Sequence, residues 1–490
     1  MAVLTLSLYF GILLLLSLYG FHRYWILYLY WRHYKTAPRR ADPPIPTPWP
    51  RVTVQLPLYN EMYVVERLLN AVCALDYPRD LLEIQVLDDS SDDSAALTDR
   101  LTEEKHRAGF DIKTLHRADR RGFKAGALAN GMKTATGEFV AIFDADFLPS
   151  PDFLRATLPH FADERIGMVQ TRWGHVNPGY SLLTRLQALL LDGHFVLEHT
   201  ARNRSGAFFN FNGTAGVWRR SAIEDGGGWS DDTLTEDLDI SYRAQIRGWR
   251  FLFLPEVVCP AELPVDIGAF RGQQHRWTKG ALQVAKKILP SLWRSPLPFF
   301  VKLESTIHLT SNAGYVLLLA FSLLLFPSLL ARRALGWPAW AAGVDLGAFF
   351  LAALSVALFY GVADRESFPN REIRLRWTDL PALMAFGVGM CVNNSRAVLE
   401  ALFNVRTDFL RTAKYNIRDR GESWLNKRYR TISGSLGALE MAAAVYFVVA
   451  LAWSWTAGYL WSVPFIGLFL VGYGYVGLLS LRHAFWPGKW

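Results

Sequence analysis

Paired carboxylates directly follow two apolar runs that read as buried β-strands. Asp144 and Asp146 stand in VAIFDADF, and Asp88 and Asp89 end IQVLDD. The carboxyl ends of parallel strands form the ligand-binding edge of an α/β sheet. Carboxylates one residue apart in an extended chain point the same way, so Asp144 and Asp146 are candidates for holding one hard divalent cation. An isolated Asp-x-Asp is often only solvated surface, but here it ends a strand.

The acids that end IQVLDD and a basic stretch later in the chain could both contact a bound nucleotide. A carboxylate at Asp88 or Asp89 could accept hydrogen bonds from a base or ribose, whereas the following acids, Asp92 and Asp93, could equally cap the next helix. Lys124 lies in RRGFKAGALANG, where glycines allow close approach to an anion. The stretch lacks the spacing of a P-loop.

A pair of acids opens a predicted helix in TEDLDISYRAQIRGWR. Thr235 stands at the expected N-cap, followed by Glu236 and Asp237. A carboxylate here could deprotonate a sugar hydroxyl as a general base. Acidic residues also simply favour the positive end of a helix dipole. The sequence leaves both interpretations open.

The stretch RGQQHRWTKG precedes a long apolar run. In a helix, Gln273, Arg276 and Trp277 fall at i, i+3 and i+4 and share one face. An amide, a fixed cation and a flat ring suit a sugar beside a phosphate. The alternative is an amphipathic helix with Arg and Trp at a lipid boundary.

The composition indicates a polar domain joined to membrane helices. Of the 490 residues, 51% are hydrophobic and 20% are charged, which suits neither a soluble protein nor a purely membranous one. Basic cytoplasmic loops explain the net charge of +8 more economically than nucleic acid, which we do not expect as a partner. Cys73, Cys259 and Cys391 show no metal or redox spacing.

Short β-rich runs alternate with helical patterns, which predicts an α/β domain with a mostly parallel sheet and helices on both faces. The predicted strands are VTVQLPLY, LEIQVLDD, FDIKTLH, EFVAIFDAD and IGMVQTRW. We expect the following organisation: an N-terminal transmembrane helix (1–31), a basic, proline-rich connector (32–50), an α/β domain of nucleotide-binding type (51–265), interfacial amphipathic helices (266–298), and a transmembrane region (299–490) with a loop at 404–430.

The basic loops predict an unusual topology. Loops 362–377 and 404–430 are both rich in Arg and Lys, so both should face the cytoplasm. The segment between them contains Asn393, Asn394, Arg396 and Glu400, which are costly against lipid. We therefore expect 378–403 to be re-entrant, giving five full spans rather than six, with the N-terminus outside and the soluble domain in the cytoplasm.

Six motifs occur in order across residues 88–277: DD, KAG, DAD, FNGTAGVWRR, TED and QxxRW. In this order, just before the apolar segments, they resemble the processive family 2 glycosyltransferases. These include the cellulose synthases and, more closely, the plant-type mannan and xyloglucan-backbone synthases with their bacterial relatives. The resemblance runs from PLYNE at 57–61 to the loop near residue 414 and implies a GT-A-like fold.

The resemblance also implies roles for matching residues. Asp144 and Asp146 would hold Mg²⁺ or Mn²⁺ on the diphosphate, and Asp237, beside Glu236, would be the catalytic base. The remaining assignments are donor contacts at Glu61, Asp88 or Asp89, Lys124, Gln273 and Arg276, and acceptor contacts at Asn212, Gly213 and Trp277.

The stretch FLRTAK resembles the FxVTxK gating loop of cellulose synthases, with Phe409, Thr412 and Lys414 matching and Arg411 where valine is usual. In that family the loop closes over the donor on the cytoplasmic face. A basic juxtamembrane loop that binds anionic lipid is the alternative.

We therefore expect inverting transfer of a hexose from GDP-mannose or UDP-glucose to a growing β-linked polysaccharide, which the membrane helices would conduct outward. One alternative is a non-processive enzyme that makes a glycolipid or polyprenyl-phosphate sugar. Another is a transporter with a nucleotide-sensing domain. The oligomeric state stays open.

Overall fold

The structure is a computed structural model that describes most of the chain. The described residues are 1–34, 48–338, 342–367, 373–407, 409, 411–429 and 434–485. Most of the proline-rich connector lies outside them, as do residues 368–372 of the first basic loop and residues 408, 410 and 430 of the second.

A seven-stranded sheet forms the centre of the soluble domain. Its strands are β1 (Val52–Leu58), β2 (Leu82–Asp88), β3 (Asp111–His116), β4 (Phe139–Ile142), β5 (Ile166–His175), β6 (Gly216–Arg219) and β7 (Arg250–Ala261). Their order is β3-β2-β1-β4-β6-β5-β7. All neighbours pair in parallel except β6, which is antiparallel to β4 and β5. The predicted, mostly parallel sheet is therefore confirmed, whereas β6 and β7 were not predicted from the sequence.

Both faces of the sheet are covered, as the alternation along β4 shows. Phe139 and Ala141 enter one hydrophobic core, whereas Val140 and Ile142 enter the other. The helices of this domain are α2 (Val65–Cys73), α3 (Ser94–Arg107), α4 (Phe123–Met132), α5 (Phe153–Thr157), α6 (Leu182–Asp192), a π-helical turn (Gly193–His199), α7 (Thr200–Ser205), α8 (Arg220–Asp225) and α9 (Glu236–Ile246). A strand buried on both sides reads as a continuous apolar run, which explains the pattern in VAIF.

Long apolar helices flank the domain. They are α1 (Ala2–His33), α11 (Phe299–Thr310) continuing into α12 (Gly314–Ala334), α13 (Ala342–Glu366), α16 (Gly434–Thr456) and α17 (Val463–Phe485). Among the described residues, five helical segments are long and apolar enough to cross a membrane, taking α11 and α12 as one. These five candidates fit a multi-pass membrane protein.

Two further elements link the domain to these helices. The predicted interfacial segment contains one long helix, α10 (Ile267–Arg294), rather than several. The expected re-entrant segment contains α14 (Asp379–Gly389) and α15 (Cys391–Leu402), which are bent by 44° at their junction. The pair would make a sixth span if it were continuous. The bend is compatible with a re-entrant segment. The re-entrant course itself stays a prediction.

Candidate functional site

The carboxyl ends of the strands, the start of α9 and one face of α10 surround a single cleft. Its lining includes nearly all the residues singled out from the sequence: Glu61, Asp89, Lys124, Asp144, Asp146, Asn212, Gly213, Glu236, Asp237, Gln273, Arg276, Trp277, Phe409, Thr412 and Lys414. Residues from 61 to 414 thus meet at one edge of the sheet.

Asp144 and Asp146 lie on the floor of the cleft, two and four residues beyond the end of β4. The Asp144 amide donates to Thr214 Oγ1 at 2.9 Å, which fixes the turn after the strand. Each carboxylate contacts an ammonium group: Asp144 Oδ1 lies 2.6 Å from Lys124 Nζ, and Asp146 Oδ1 lies 2.5 Å from Lys414 Nζ. The two carboxylates therefore occupy positions that favour positive charge.

Lys124 joins three elements of the cleft. Its Nζ donates to the Gly213 carbonyl at 2.9 Å and lies 4.0 Å from Glu236 Oε1, besides its contact with Asp144. Burial lowers the pKa of Lys124, but the Asp144 and Glu236 carboxylates outweigh this effect and raise it. Lys124 is therefore a fixed cation in the depth of the cleft.

Glu236 and Asp237 begin α9. Thr235 is the N-cap residue, as predicted, but its side chain makes no capping hydrogen bond. The Leu238 amide donates to Asp237 Oδ1 at 2.8 Å. Burial, and then the neighbouring Glu236 carboxylate, raise the pKa of Asp237 to about 7, against the opposing effect of Lys124. Burial also raises the pKa of Glu236. A carboxylate with a pKa near neutrality is suited to accept a proton.

Helix α10 carries Gln273, Arg276 and Trp277 into the cleft on one face, as the spacing predicted. At its N-terminus, Asp266 caps the helix by accepting from the Ala269 amide at 2.8 Å. Burial lowers the pKa of Arg276 to about 10, against the Glu236 and Asp144 carboxylates, so Arg276 is charged at neutral pH.

The Trp277 ring belongs to an aromatic wall. Its centroid lies 6.3 Å from that of Trp173 at an interplanar angle of 53°. Trp173 in turn meets Phe147 edge-on at 5.0 Å. Such a wall presents flat apolar faces to the cleft, and sugar rings pack on surfaces of this kind through their C–H groups.

The loop after α15 crosses the cleft. Arg276 Nη2 donates to Thr412 Oγ1 at 2.6 Å, and the Arg276 guanidinium lies 5.0 Å from the centre of the Phe409 ring. Lys414 contacts Asp146. Arg411, which replaces the usual valine, has its Nη1 3.1 Å from Glu61 Oε1.

Glu61 is 7% exposed. Burial raises the pKa of Glu61 to about 7, and the cations of Lys414 and Arg411 oppose this shift.

Asp88 and Asp89 have different environments. Asp89 lines the cleft, where Arg117 donates to it from Nε at 2.9 Å and from Nη2 at 2.5 Å. Asp88 is 1% exposed, is not part of the lining, and accepts from the Ser90 amide at 2.9 Å. Asp92, considered as a helix cap, accepts from the Ser94 amide at 3.0 Å.

Asn212 and Gly213 border the cleft opposite α4. The Asn212 side chain contacts two imidazoles, with His199 Nε2 2.6 Å from its Oδ1 and His194 Nε2 3.2 Å from its Nδ2. Gly213 has a φ of +82°, and a Cβ there would lie 2.9 Å from Asp237 Oδ2. The backbone thus approaches the acid closely because this residue has no side chain.

Several residues of the lining were not predicted from the sequence. Tyr59 follows β1 and stacks under the Arg120 guanidinium at 3.3 Å, Trp173 lies near the end of β5, and Glu262 follows β7. All three obey the strand-end rule that identified the acids. Applying that rule to every strand would have found Tyr59 and Trp173, whereas Glu262 required the recognition of β7.

Comparisons with known proteins agree with this geometry. Residues 50–280 match the family model described as "Glycosyltransferase like family 2". The rice protein glucomannan 4-beta-mannosyltransferase 1 (Oryza sativa subsp. japonica) is 33% identical over 475 residues, which cover 91% of this chain and 87% of the rice protein. The chain belongs to the family 2 glycosyltransferases. This glycosyltransferase is a hexosyltransferase that uses a nucleotide sugar.

Two other similar proteins share parts of it. The Arabidopsis thaliana glucomannan 4-beta-mannosyltransferase 7 is 39% identical over 319 residues, covering 63% of this glycosyltransferase and 56% of the plant protein. The solved mannosyltransferase from Pyrobaculum calidifontis, in complex with GDP-Man and Mn²⁺, superposes with a TM-score of 0.54 at 25% identity. That match covers 81% of this chain and 99% of the archaeal one. It supports the GT-A-like fold.

Replacing Gly213 with alanine is expected to lower kcat by about tenfold or more, because small displacements of catalytic groups are costly. The new Cβ would meet Asp237 Oδ2 at 2.9 Å and Lys124 Nζ at 3.2 Å. Steady-state kinetics with the purified enzyme measure the effect. The matched control is Gly206→Ala, since Gly206 has a similar φ of +81° but nothing within 4 Å of its Cβ position. Equal losses in both variants would assign the effect to backbone strain.

Proposed function

We propose that this glycosyltransferase transfers mannose from GDP-mannose, with inversion, to a growing β-linked polysaccharide. The observation that carries the proposal is the convergence of Asp146, Asp237, Arg276 and Trp277 on one cleft. The choice of mannose is supported by the glucomannan mannosyltransferases of rice and Arabidopsis and by the archaeal mannosyltransferase solved with GDP-Man. UDP-glucose is the second candidate donor.

The cleft suits a divalent cation, Mg²⁺ or Mn²⁺, on Asp144 and Asp146. Carboxylate oxygens are the ligands that these hard ions prefer, and both carboxylates already face ammonium groups. Within the described residues, no three His, Cys, Asp or Glu side chains are arranged to hold a metal, so the donor diphosphate would complete the ligand set. The cation, when bound, offsets the negative charge of the diphosphate.

The protein's own residues divide the remaining work. Asp237 accepts the proton of the acceptor hydroxyl. The hydroxyl oxygen attacks the anomeric carbon of the donor sugar as the bond between that carbon and the diphosphate breaks. Arg276 and Lys124 stabilise the charge that develops on the leaving group. Glu61, Gln273 and Asp89, which line the cleft, bind and orient the donor, and Asn212 and Gly213 border the acceptor.

Replacing Trp277 with alanine is expected to raise the acceptor KM by about tenfold, at the lower end of the about 1–3 kcal/mol that aromatic stacking contributes for a nucleic-acid base. Hydrolysis of the donor to free sugar needs no acceptor and should change less. Both rates are measured on the same preparation, with Trp277→Phe as the conservative control. Equal damage to transfer and hydrolysis by the alanine variant would argue against stacking.

The activity is expected to rise with pH through about 7. Asp237, with its pKa raised to about 7, is protonated and unable to accept a proton below that pH, and it becomes a base above it. A profile of kcat/KM against pH should therefore show an acidic limb near 7. Glu61, which also titrates there, is tested by Glu61→Gln. A limb that disappears in this variant would assign the titration to Glu61 instead.

In the membrane, the five candidate helices act as spans, the N-terminus lies outside, and residues 51–265 with the loop 404–430 face the cytoplasm. Residues 378–403 enter and leave on the same side. The helices conduct the polymer outward. Cysteine labelling of intact cells near residue 418 tests this arrangement, because modification by an impermeant reagent would place that loop outside.

A donor screen tests the proposal as a whole. Purified protein is supplied with radiolabelled GDP-mannose or UDP-glucose and Mn²⁺, and the product is sized. A labelled β-mannan from GDP-mannose is expected. If the product is instead a single sugar attached to a lipid, the enzyme makes a glycolipid or a polyprenyl-phosphate sugar rather than a polymer. If neither donor releases nucleoside diphosphate, the proposed reaction is contradicted.

A further inference from the structure

The loop over the cleft is fixed on both sides of the residues that enter it. We call Phe409 and residues 411–414 the strap. Within it, Arg411 contacts Glu61, Thr412 contacts Arg276 and Lys414 contacts Asp146. Each partner is a residue that the proposed function assigns to the donor. The position of the strap therefore decides how the donor is enclosed.

Lys279 holds the chain on the N-terminal side of the strap. It lies on α10, two residues after Trp277, and is 1% exposed. Its Nζ donates to the Val405 carbonyl and to Thr407 Oγ1, both at 2.7 Å, and to Glu400 Oε2 at 3.1 Å. A buried ammonium needs such partners to offset its desolvation. It thereby ties the start of the loop to the helix that carries Arg276.

Glu262 holds the chain on the C-terminal side. This carboxylate, just after β7, is 6% exposed and accepts from the Tyr415 amide at 2.8 Å and the Asn416 amide at 2.9 Å. Arg67 Nη2 donates to the same carboxylate at 2.9 Å, and its Nη1 donates to Asn416 Oδ1 at 2.7 Å. The two amides follow Lys414 directly. Glu262 therefore anchors the chain beside Lys414 and determines how far the Lys414 ammonium extends into the cleft.

The two anchors differ from the strap in what they touch. Strap side chains contact groups that a donor and its cation would engage, so those contacts must rearrange during turnover. Lys279 and Glu262 contact backbone groups outside the strap, and these contacts can persist when the donor is bound. Such anchors reduce the conformational entropy that the strap loses each time it closes.

We propose that Lys279 and Glu262 are positioning residues that fix both ends of the strap, so that Thr412 and Lys414 close on the donor. The proposal rests on the proposed function of the strap. Neither residue is assigned a contact with the reacting atoms. Their effect is on donor affinity and on closure, and only indirectly on the chemical step.

The kinetic test uses Lys279→Met and Glu262→Gln. Each is expected to raise the donor KM by about tenfold, within the range of coupling through a packed network, with a smaller change in kcat. The matched controls are Arg294→Met, at the exposed last turn of α10, and Glu256→Gln, on the exposed side of β7. If removing the buried charge prevents folding, Thr407→Val removes one partner of Lys279 and should raise the KM by a smaller factor.

A labelling test reports closure directly. Thr412→Cys is introduced together with Cys73→Ala, since Cys259 and Cys391 are buried. Maleimide modification is then timed with and without GDP and Mn²⁺. GDP is expected to slow modification in this background and in both controls, and to lose that effect in Lys279→Met and Glu262→Gln.

The outcomes separate the two proposals. Protection that survives in both anchor variants overturns the anchoring role and leaves the proposed function standing. If neither GDP nor UDP with Mn²⁺ slows modification of residue 412 in the protein that carries only Thr412→Cys and Cys73→Ala, the strap does not close on a donor. That result overturns the proposed role of the strap together with its anchors.

Discussion

Asp237→Asn is expected to lower the rate of transfer by about 10²- to 10⁴-fold, the range in which positioned general bases contribute. Asparagine keeps the shape of the side chain but cannot accept a proton. Its oxygen can still accept from the Leu238 amide, which now donates to Asp237 at 2.8 Å. The start of α9 should therefore survive the change.

Nucleotide binding separates the catalytic interpretation from a structural one. Asp237→Asn should bind GDP with Mn²⁺ about as tightly as the parent, because the base acts on the acceptor. Glu236→Gln provides a comparison at the neighbouring carboxylate, which lies 4.0 Å from Lys124. Loss of folding or of GDP binding in Asp237→Asn would return Asp237 to a structural role.

Arg276→Gln is expected to lower kcat by about 10²- to 10³-fold, as removal of a preorganised charge-stabilising donor does in other enzymes. Glutamine keeps a polar side chain but loses the positive charge. The charge on the departing diphosphate would then be stabilised less, while the acceptor wall around Trp277 stays in place. Single-turnover transfer with bound donor measures this chemical step.

The control for Arg276 is Arg294→Gln on the same helix. Arg294 is exposed at the last turn of α10, so its loss removes a charge without touching the cleft. A loss in Arg276→Gln confined to donor KM, with the single-turnover rate unchanged, would assign Arg276 to ground-state binding rather than to the leaving group.

The strand-end rule recovered much of the cleft from the sequence because it depends on local pattern alone. VAIF predicted a buried strand, and the acids after it then had to lie at the sheet edge. Strand β6 was missed because it has only four residues among glycines and basic residues. Strand β7 was missed because Pro255 interrupts its apolar run, and proline argues against a central strand.

Contacts between distant parts of the chain could not be predicted from pattern. The resemblance to a gating loop suggested that residues near 414 cover the donor, but nothing local indicates that Lys414 meets Asp146 or that Arg411 meets Glu61. Lys279 reads as one of several cations on an amphipathic helix. Its burial against residues 400–407 depends on how α10 and α15 pack.

The bend between α14 and α15 lies in the segment that the charge pattern predicts to be re-entrant, and the re-entrant course stays a prediction. The basic loops on either side conflicted with a single span. The bend of 44° lies just before Asn393, whose amide donates to the Arg271 carbonyl at 3.2 Å. Asn393 and Glu400 of α15 thus have hydrogen-bond partners in α10, as polar groups in membrane proteins usually do.

The most direct measurement is a structure of the purified protein with GDP and Mn²⁺. We expect the cation on Asp144 and Asp146, with Lys414 moved off Asp146, and the diphosphate between that cation and Arg276. GDP bound elsewhere, or bound in this cleft with both carboxylates still paired to their lysines and no cation present, would contradict this expectation.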